Sequence, residues 1–267
     1  MIRDITIGQY YPAKSPIHRM DPRTKLFGTL IFIISVFLFH SVAGYAVATL
    51  FLAGMIIISQ VPVKFIFKGL KAIFMILMIT MVFNILLTPG EVLWKIGIFK
   101  ITREGISMAV RMAIRLVYLV IGSSLMTLTT TPNQLTDGLE KSLRPLNKIH
   151  IPVHEIAMMM SIALRFIPIL LEETDKIMKA QIARGADFES GNLIQKVKNM
   201  VPLLVPLFIS AFRRANDLAM AMEARCYHGG DNRTQMKPLH YTRRDHIAYV
   251  VLFVYLAVAI GFRVMGR

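Results

Sequence analysis

Charge-free stretches divide this chain before any motif does. From Leu26 to Gln60 run 35 residues without a formal charge, too many for one membrane span and enough for two of about 17 residues each. The turn between them is predicted at His40-Ser41-Val42-Ala43-Gly44. Lys64, Lys68 and Lys71 mark the next polar boundary, and Ala72 to Thr88 supplies a third span closed by Pro89-Gly90. A fourth span runs from near Gly105 to about Thr131, and a last one from Ile247 to Phe262.

Between the last two spans the period changes. Thr131-Pro132 reads as an N-cap followed by proline at the first helical position. The helix it opens carries Leu135, Leu139 and Leu143 on one stripe beside Asp137, Glu140 and Lys141, and Pro145 is predicted to end it. Such a helix suits the headgroup layer or a packed neighbour equally. A longer helix is predicted from Val153 through Ile182, apolar over Ile156 to Leu164 and then charged. Its Glu172/Lys176 and Asp175/Lys179 pairs stand in the favourable acid-first order. Pro168 predicts a bend, and Gly185 suits the left-handed residue that closes many helices. A third helix repeats the plan after Pro202 and Pro206, ending at Ala224-Arg225-Cys226. From its proline to its arginine, each arm extends roughly 24 to 28 Å. Ala211, Ala215 and Ala219 form a small-residue stripe, which predicts a close helix crossing there.

The predicted fold class is all-α: a polytopic membrane protein of about five transmembrane helices with a cytoplasmic helical coupling region. Residues 1–131 hold the N-terminal segment and four spans, 132–245 the coupling helices, and 246–267 the last span. Composition agrees. The chain is 55% hydrophobic with a mean hydropathy of +0.55, above ordinary soluble usage. The formal charge of +15 is interrupted by long uncharged runs instead of forming one arm, so a membrane topology accounts for it and a nucleic-acid partner does not.

Placing the N-terminus inside puts Arg3, Lys14, Arg19, Arg23 and Lys25 in the cytoplasm, with the three lysines of the second loop. The five cations from Lys95 to Arg115 then lie outside, against the trend. Arg111 and Arg115 share a helix face, which points either to intramembrane polar contacts or to side chains reaching the headgroups. Trp94 fits an interfacial anchor.

Catalytic patterns are incomplete. His154-Glu155 opens like a zinc-protease helix, but position 158 is Met. Cys226 with His228 lacks a group to orient it as a nucleophile. No Walker loop occurs, so neither a catalytic residue nor a metal site is assigned and no cofactor is expected in this chain. Asn232-Arg233-Thr234 matches a glycosylation acceptor that a cytoplasmic location leaves unused. What stands out is the repetition: Ala183-Arg184-Gly185 and Ala224-Arg225-Cys226 each end a long helix with an arginine. Two such ends suit paired contacts with acidic grooves, because the guanidinium fork binds carboxylates bidentately.

These features together resemble the transmembrane T component of energy-coupling factor transporters. The resemblance is carried by Ser15-Pro16-Ile17-His18-Arg19-Met20-Asp21-Pro22-Arg23-Thr24-Lys25, by Arg165-Phe166-Ile167-Pro168, and by the two segments ending in Arg184-Gly185 and Arg225. It covers essentially the whole chain and departs from the family's second Ala-Arg-Gly at Cys226. It implies a scaffold in a prokaryotic cell membrane that docks two cytoplasmic ABC-type ATPases through Arg184 and Arg225. It further implies a membrane-embedded substrate-binding subunit as third partner, with ATP and magnesium held by the ATPases and a vitamin or other micronutrient as cargo. The rival reading is a stand-alone secondary transporter working through Arg111 and Arg115.

Overall fold

The computed structural model describes residues 10–39, 41–96, 99–188, 192–229, 236 and 238–265. His40 of the predicted turn, the Trp94 side chain, Arg3, Arg267 and the Asn232-Arg233-Thr234 acceptor fall outside the described residues. The chain forms two compact units, one built on Gly8–Lys141 together with Leu239–Arg267, the other on Ser142–Pro238.

The first unit contains the predicted spans. Helix α1 (Pro22–Leu38) starts at Asp21, whose carboxylate accepts the Arg23 N–H, with proline at the first position where no donor is lost. Ser41 caps α2 (Val42–Ser59), which ends at Gln60 with φ 55°. Helix α3 (Val63–Leu87) bends by 57° beyond Lys71. A feature absent from the sequence reading follows, an antiparallel hairpin of β1 (Val92–Ile96) and β2 (Phe99–Thr102). The Thr102 hydroxyl joins it to its surroundings, donating to the Thr88 carbonyl at 2.8 Å and accepting the Gly105 N–H at the start of α4 (Arg103–Thr129).

Helix α5 (Pro132–Leu143) opens with a reciprocal capping box, in which the Thr131 hydroxyl accepts from the Gln134 N–H and the Gln134 side chain from the Thr131 N–H. Its Gly138 lies against α1; a Cβ there would fall 2.9 Å from Pro22 Cβ. Helix α8 (Arg243–Met265) completes the unit. The Lys141 ammonium donates to the Leu239 carbonyl at 3.3 Å, pinning the residue where the chain leaves this unit to the residue where it returns.

The main buried cluster comprises Phe32, Val36, Phe39, Tyr45, Ala48, Leu52, Tyr255 and Ala259, with a smaller one at Val61, Ile66 and Leu128. Phe51 stacks on Tyr255 with centroids 4.3 Å apart, and the Tyr255 hydroxyl meets Ser35 at 2.6 Å. Outward-facing side chains such as Leu50 and Phe253, each 75% exposed, need lipid to cover them.

In the second unit a 3₁₀ segment (Arg144–Ile149), with Pro145 near its start, follows the end of α5 and leads to α6 (Val153–Ala183) and α7 (Leu193–Ala224). By length and composition alone, α4, α6 and α8 can each cross a membrane, and α3 adds a fourth if its two limbs form one span; Ala43–Ser59 is a shorter apolar helix. Helix α6 qualifies through the apolar first half that the sequence reading assigned to the coupling region.

Candidate functional site

The two arginine motifs end their helices in the same way. On α6, Arg184 is the C-cap with φ −87° and ψ 5°, and Gly185 is left-handed at φ 87°. The Gly185 N–H donates to the Ile182 carbonyl and the Ala186 N–H to Gln181, both at 2.9 Å. On α7, Arg225 has φ −94° and ψ 13°, and Cys226 takes the left-handed place at φ 55°. Its N–H donates to Glu223 at 2.8 Å and the Tyr227 N–H to Met222 at 3.1 Å. Both are Schellman ends with the arginine one residue before the left-handed position.

Cysteine at the second motif therefore preserves the helix-end geometry, at the cost of about 1 to 2 kcal/mol that a Cβ meets in this conformation. His228 offsets part of that cost, its Nδ1–H donating to the Cys226 carbonyl at 2.8 Å. The imidazole thus serves the backbone, and nothing orients it as a base toward the exposed thiol. Arg184 and Arg225 are both exposed, and their guanidinium groups make no hydrogen bond or ion pair to another described residue. Each leaves five N–H donors available to a partner.

The helices that carry them, 31 and 32 residues long, run antiparallel past each other. Arg214 pairs with Glu173 at 3.0 Å, and the Gln181 amide donates to the Pro202 carbonyl at 3.3 Å. On α7 the less exposed stripe follows Leu203, Leu207, Ala211, Arg214, Leu218 and Met222. Ala211 lies on it, while Ala215 and Ala219, the other two of the small-residue stripe, are exposed.

The N-terminal motif is an internal clamp. Arg23 grips the Asp21 carboxylate with Nε at 3.0 Å and Nη2 at 2.8 Å, and its guanidinium lies 4.0 Å over the Tyr241 ring. The Asp21 N–H donates to Asp245 Oδ1 at 2.8 Å; Asp245 Oδ2 accepts from the Thr242 N–H and hydroxyl at 2.8 and 2.7 Å. The Lys25 ammonium donates to the carbonyls of Thr129 at 2.8 Å and His18 at 3.3 Å, closing the end of α4. Fully buried Asp245, which the sequence reading left unassigned, is the hub. Its only signal was an acid in the first turn of the last span.

His18 is also buried. Its Nε2–H donates to the Tyr11 carbonyl at 2.9 Å, so Nδ1 accepts the Ser15 hydroxyl at 2.7 Å. Burial pushes this imidazole below its usual range, against the opposing pull of the Tyr11 carbonyl.

Arg111 is exposed and donates to Ser107 one turn back. Half-buried Arg115 has Nη2 3.4 Å from the Phe39 carbonyl and 3.5 Å from the Tyr45 hydroxyl, with its guanidinium 5.3 Å over the Phe37 ring. Phe39 ends α1, so Arg115 secures the α1–α2 turn. Among the described residues no group of three or more His, Cys, Asp or Glu side chains could hold a metal ion.

The sequence matches the family CbiQ, described as a cobalt transport protein, over residues 13–236. It is similar to the energy-coupling factor transporter transmembrane proteins EcfT of three bacteria. Identity is 57% to that of Clostridium kluyveri, 55% to that of Ruminiclostridium cellulolyticum and 49% to that of Bacillus subtilis. These alignments cover 99%, 96% and 98% of this chain and 98%, 96% and 100% of those proteins.

Proposed function

Because this chain belongs to the CbiQ family, as the transmembrane component of an energy-coupling factor transporter and not an enzyme, we propose that it couples two cytoplasmic ABC-type ATPases to one membrane-embedded substrate-binding subunit. The carrying observation is the pair of equivalent helix ends, each presenting an arginine whose guanidinium has no partner among the described residues. Each guanidinium docks in an acidic groove of one ATPase. The N-terminus and the coupling helices lie in the cytoplasm, ATP and magnesium stay with the ATPases, and the cargo is a vitamin or another micronutrient.

Coupling requires contacts that differ between the two states of the ATPase pair, since a contact equal in both shifts no equilibrium. The antiparallel lock of α6 on α7 gives the arms the stiffness to pass on such a difference. The relatives do not support the rival secondary-transport reading, and Arg115, one of its two arginines, faces the Phe39 carbonyl at the α1–α2 turn.

The deciding experiment replaces Arg184 and Arg225 together with Glu. The variant should insert in the membrane yet fail to retain the ATPases on purification and fail to support uptake. Full uptake by the double variant overturns the proposal. Single replacements should be milder, because the second docking point keeps the partners at high local concentration.

A further inference from the structure

We propose that the first unit holds one anionic glycerophospholipid in the groove between α1, α2, α4 and α8, with its phosphate at Lys25 and Arg244 and one acyl chain along the apolar wall. The groove encloses about 310 Å³. Lys25 and Arg244 line one end; Phe32, Phe51, Leu52 and Gly122 line the depth. From Lys25 to Phe32 on α1, and from Arg244 to Leu252 on α8, the wall is roughly 10 to 12 Å long. That is most of a hydrocarbon leaflet of roughly 15 Å.

The groove opens sideways, for Ile58, Ile247 and Val251 line it and are still 49%, 63% and 48% exposed. A ligand reaches it from the bilayer. A transmembrane helix about 10 Å across needs several times this volume, whereas a single hydrocarbon chain fits the slot.

Charge selects the headgroup. No carboxylate lines the groove. The nearby Asp21 is held by Arg23, and Asp245 by three protein donors. Two of the three Lys25 donors are used on neutral carbonyls, and Arg244 is exposed without an ion pair among the described residues. One N–H of Lys25, and the Arg244 fork, which has no partner among the described residues, remain for a phosphate. This inference depends on the membrane location of the unit and not on the ATPase-docking proposal.

The test is native mass spectrometry of the delipidated full-length chain titrated with dioleoyl phosphatidylglycerol, dioleoyl phosphatidylethanolamine or the chain-free headgroup glycerophosphoglycerol. The wild type should bind one phosphatidylglycerol about tenfold more tightly than phosphatidylethanolamine. R244Q should cut that preference about fivefold. V251W, which fills the open side at an exposed position, should weaken both lipids about tenfold. Equal binding of the two lipids overturns the proposal, as does unchanged binding by V251W or binding of the free headgroup as tight as that of the lipid. So does a photo-crosslinker at position 251 that captures a partner's helix in the assembled transporter.

Discussion

The Gln181 side-chain amide donates to the main-chain carbonyl of Pro202, 3.3 Å away on the neighbouring helix. Within α7 that carbonyl would normally receive the N–H of residue 206. Residue 206 is proline and has none, so Gln181 supplies the missing donor from α6, two residues before the first Ala-Arg motif. Replacing Gln181 with Ala should destabilise the α6–α7 pair by about 1 kcal/mol, seen as faster amide exchange over residues 199–206. The partner variant makes this specific. Pro206→Ala restores the helical donor, so Gln181→Ala in that background should cost nothing; an undiminished cost would show that the contact acts otherwise.

Cys226 occupies a left-handed position with a side chain, whereas Gly185 occupies its counterpart without one. Cys226→Gly should raise stability by about 1 kcal/mol, and Gly185→Ala should lower it by about 1 to 2 kcal/mol. No atom lies within 4 Å of a Cβ built on Gly185, so the second loss would be purely conformational. Thermal unfolding of the detergent-solubilised chain measures both, and opposite signs are the expected result.

Protonation of His18 should unfold the N-terminal clamp. The folded pKa lies below the usual value near 6.5 because the ring is buried, so the unfolded chain takes up the proton first as pH falls. Stability from this residue is therefore complete above about pH 6.5 and declines as pH drops through that value. Melting curves between pH 7.5 and 5 should show a steeper loss for the wild type than for His18→Gln. Parallel curves would remove His18 as the cause.

Arg115→Met should destabilise the membrane unit by about 1 to 3 kcal/mol, since it leaves the Phe39 carbonyl and Tyr45 hydroxyl without their donor. It should leave the apparent KM for the transported substrate unchanged. A raised KM with unchanged stability would restore the idea of a polar track through the membrane.

What could be read from the chain was whatever is local. Charge-free lengths located α1, α2, the second limb of α3 and α8, and Thr131-Pro132 announced a capped helix because capping is decided within a few residues. Partners far apart in sequence could not be read. Asp245 meets Asp21 across 224 positions, and neither residue's neighbours hint at the other. The three alanines of the stripe differ in exposure for a geometric reason: steps of four overshoot one helical turn by about 40°. By Ala219 the row has rotated off the face that Ala211 shares with Arg214. Gly185 signalled its left-handed turn by composition, whereas Cys226 adopts the same turn with support from His228 two residues on.

The Lys141–Leu239 contact turns the whole of residues 142–238 into a cassette. The chain leaves the first unit at Lys141 and re-enters it at Leu239, two residues held together by that hydrogen bond. A chimaera that exchanges this insert with that of a relative therefore needs its two splice points matched at a single place. The unit built on α1, α2, α4 and α8 and the arginine-bearing insert can then diversify as separate modules of one polypeptide.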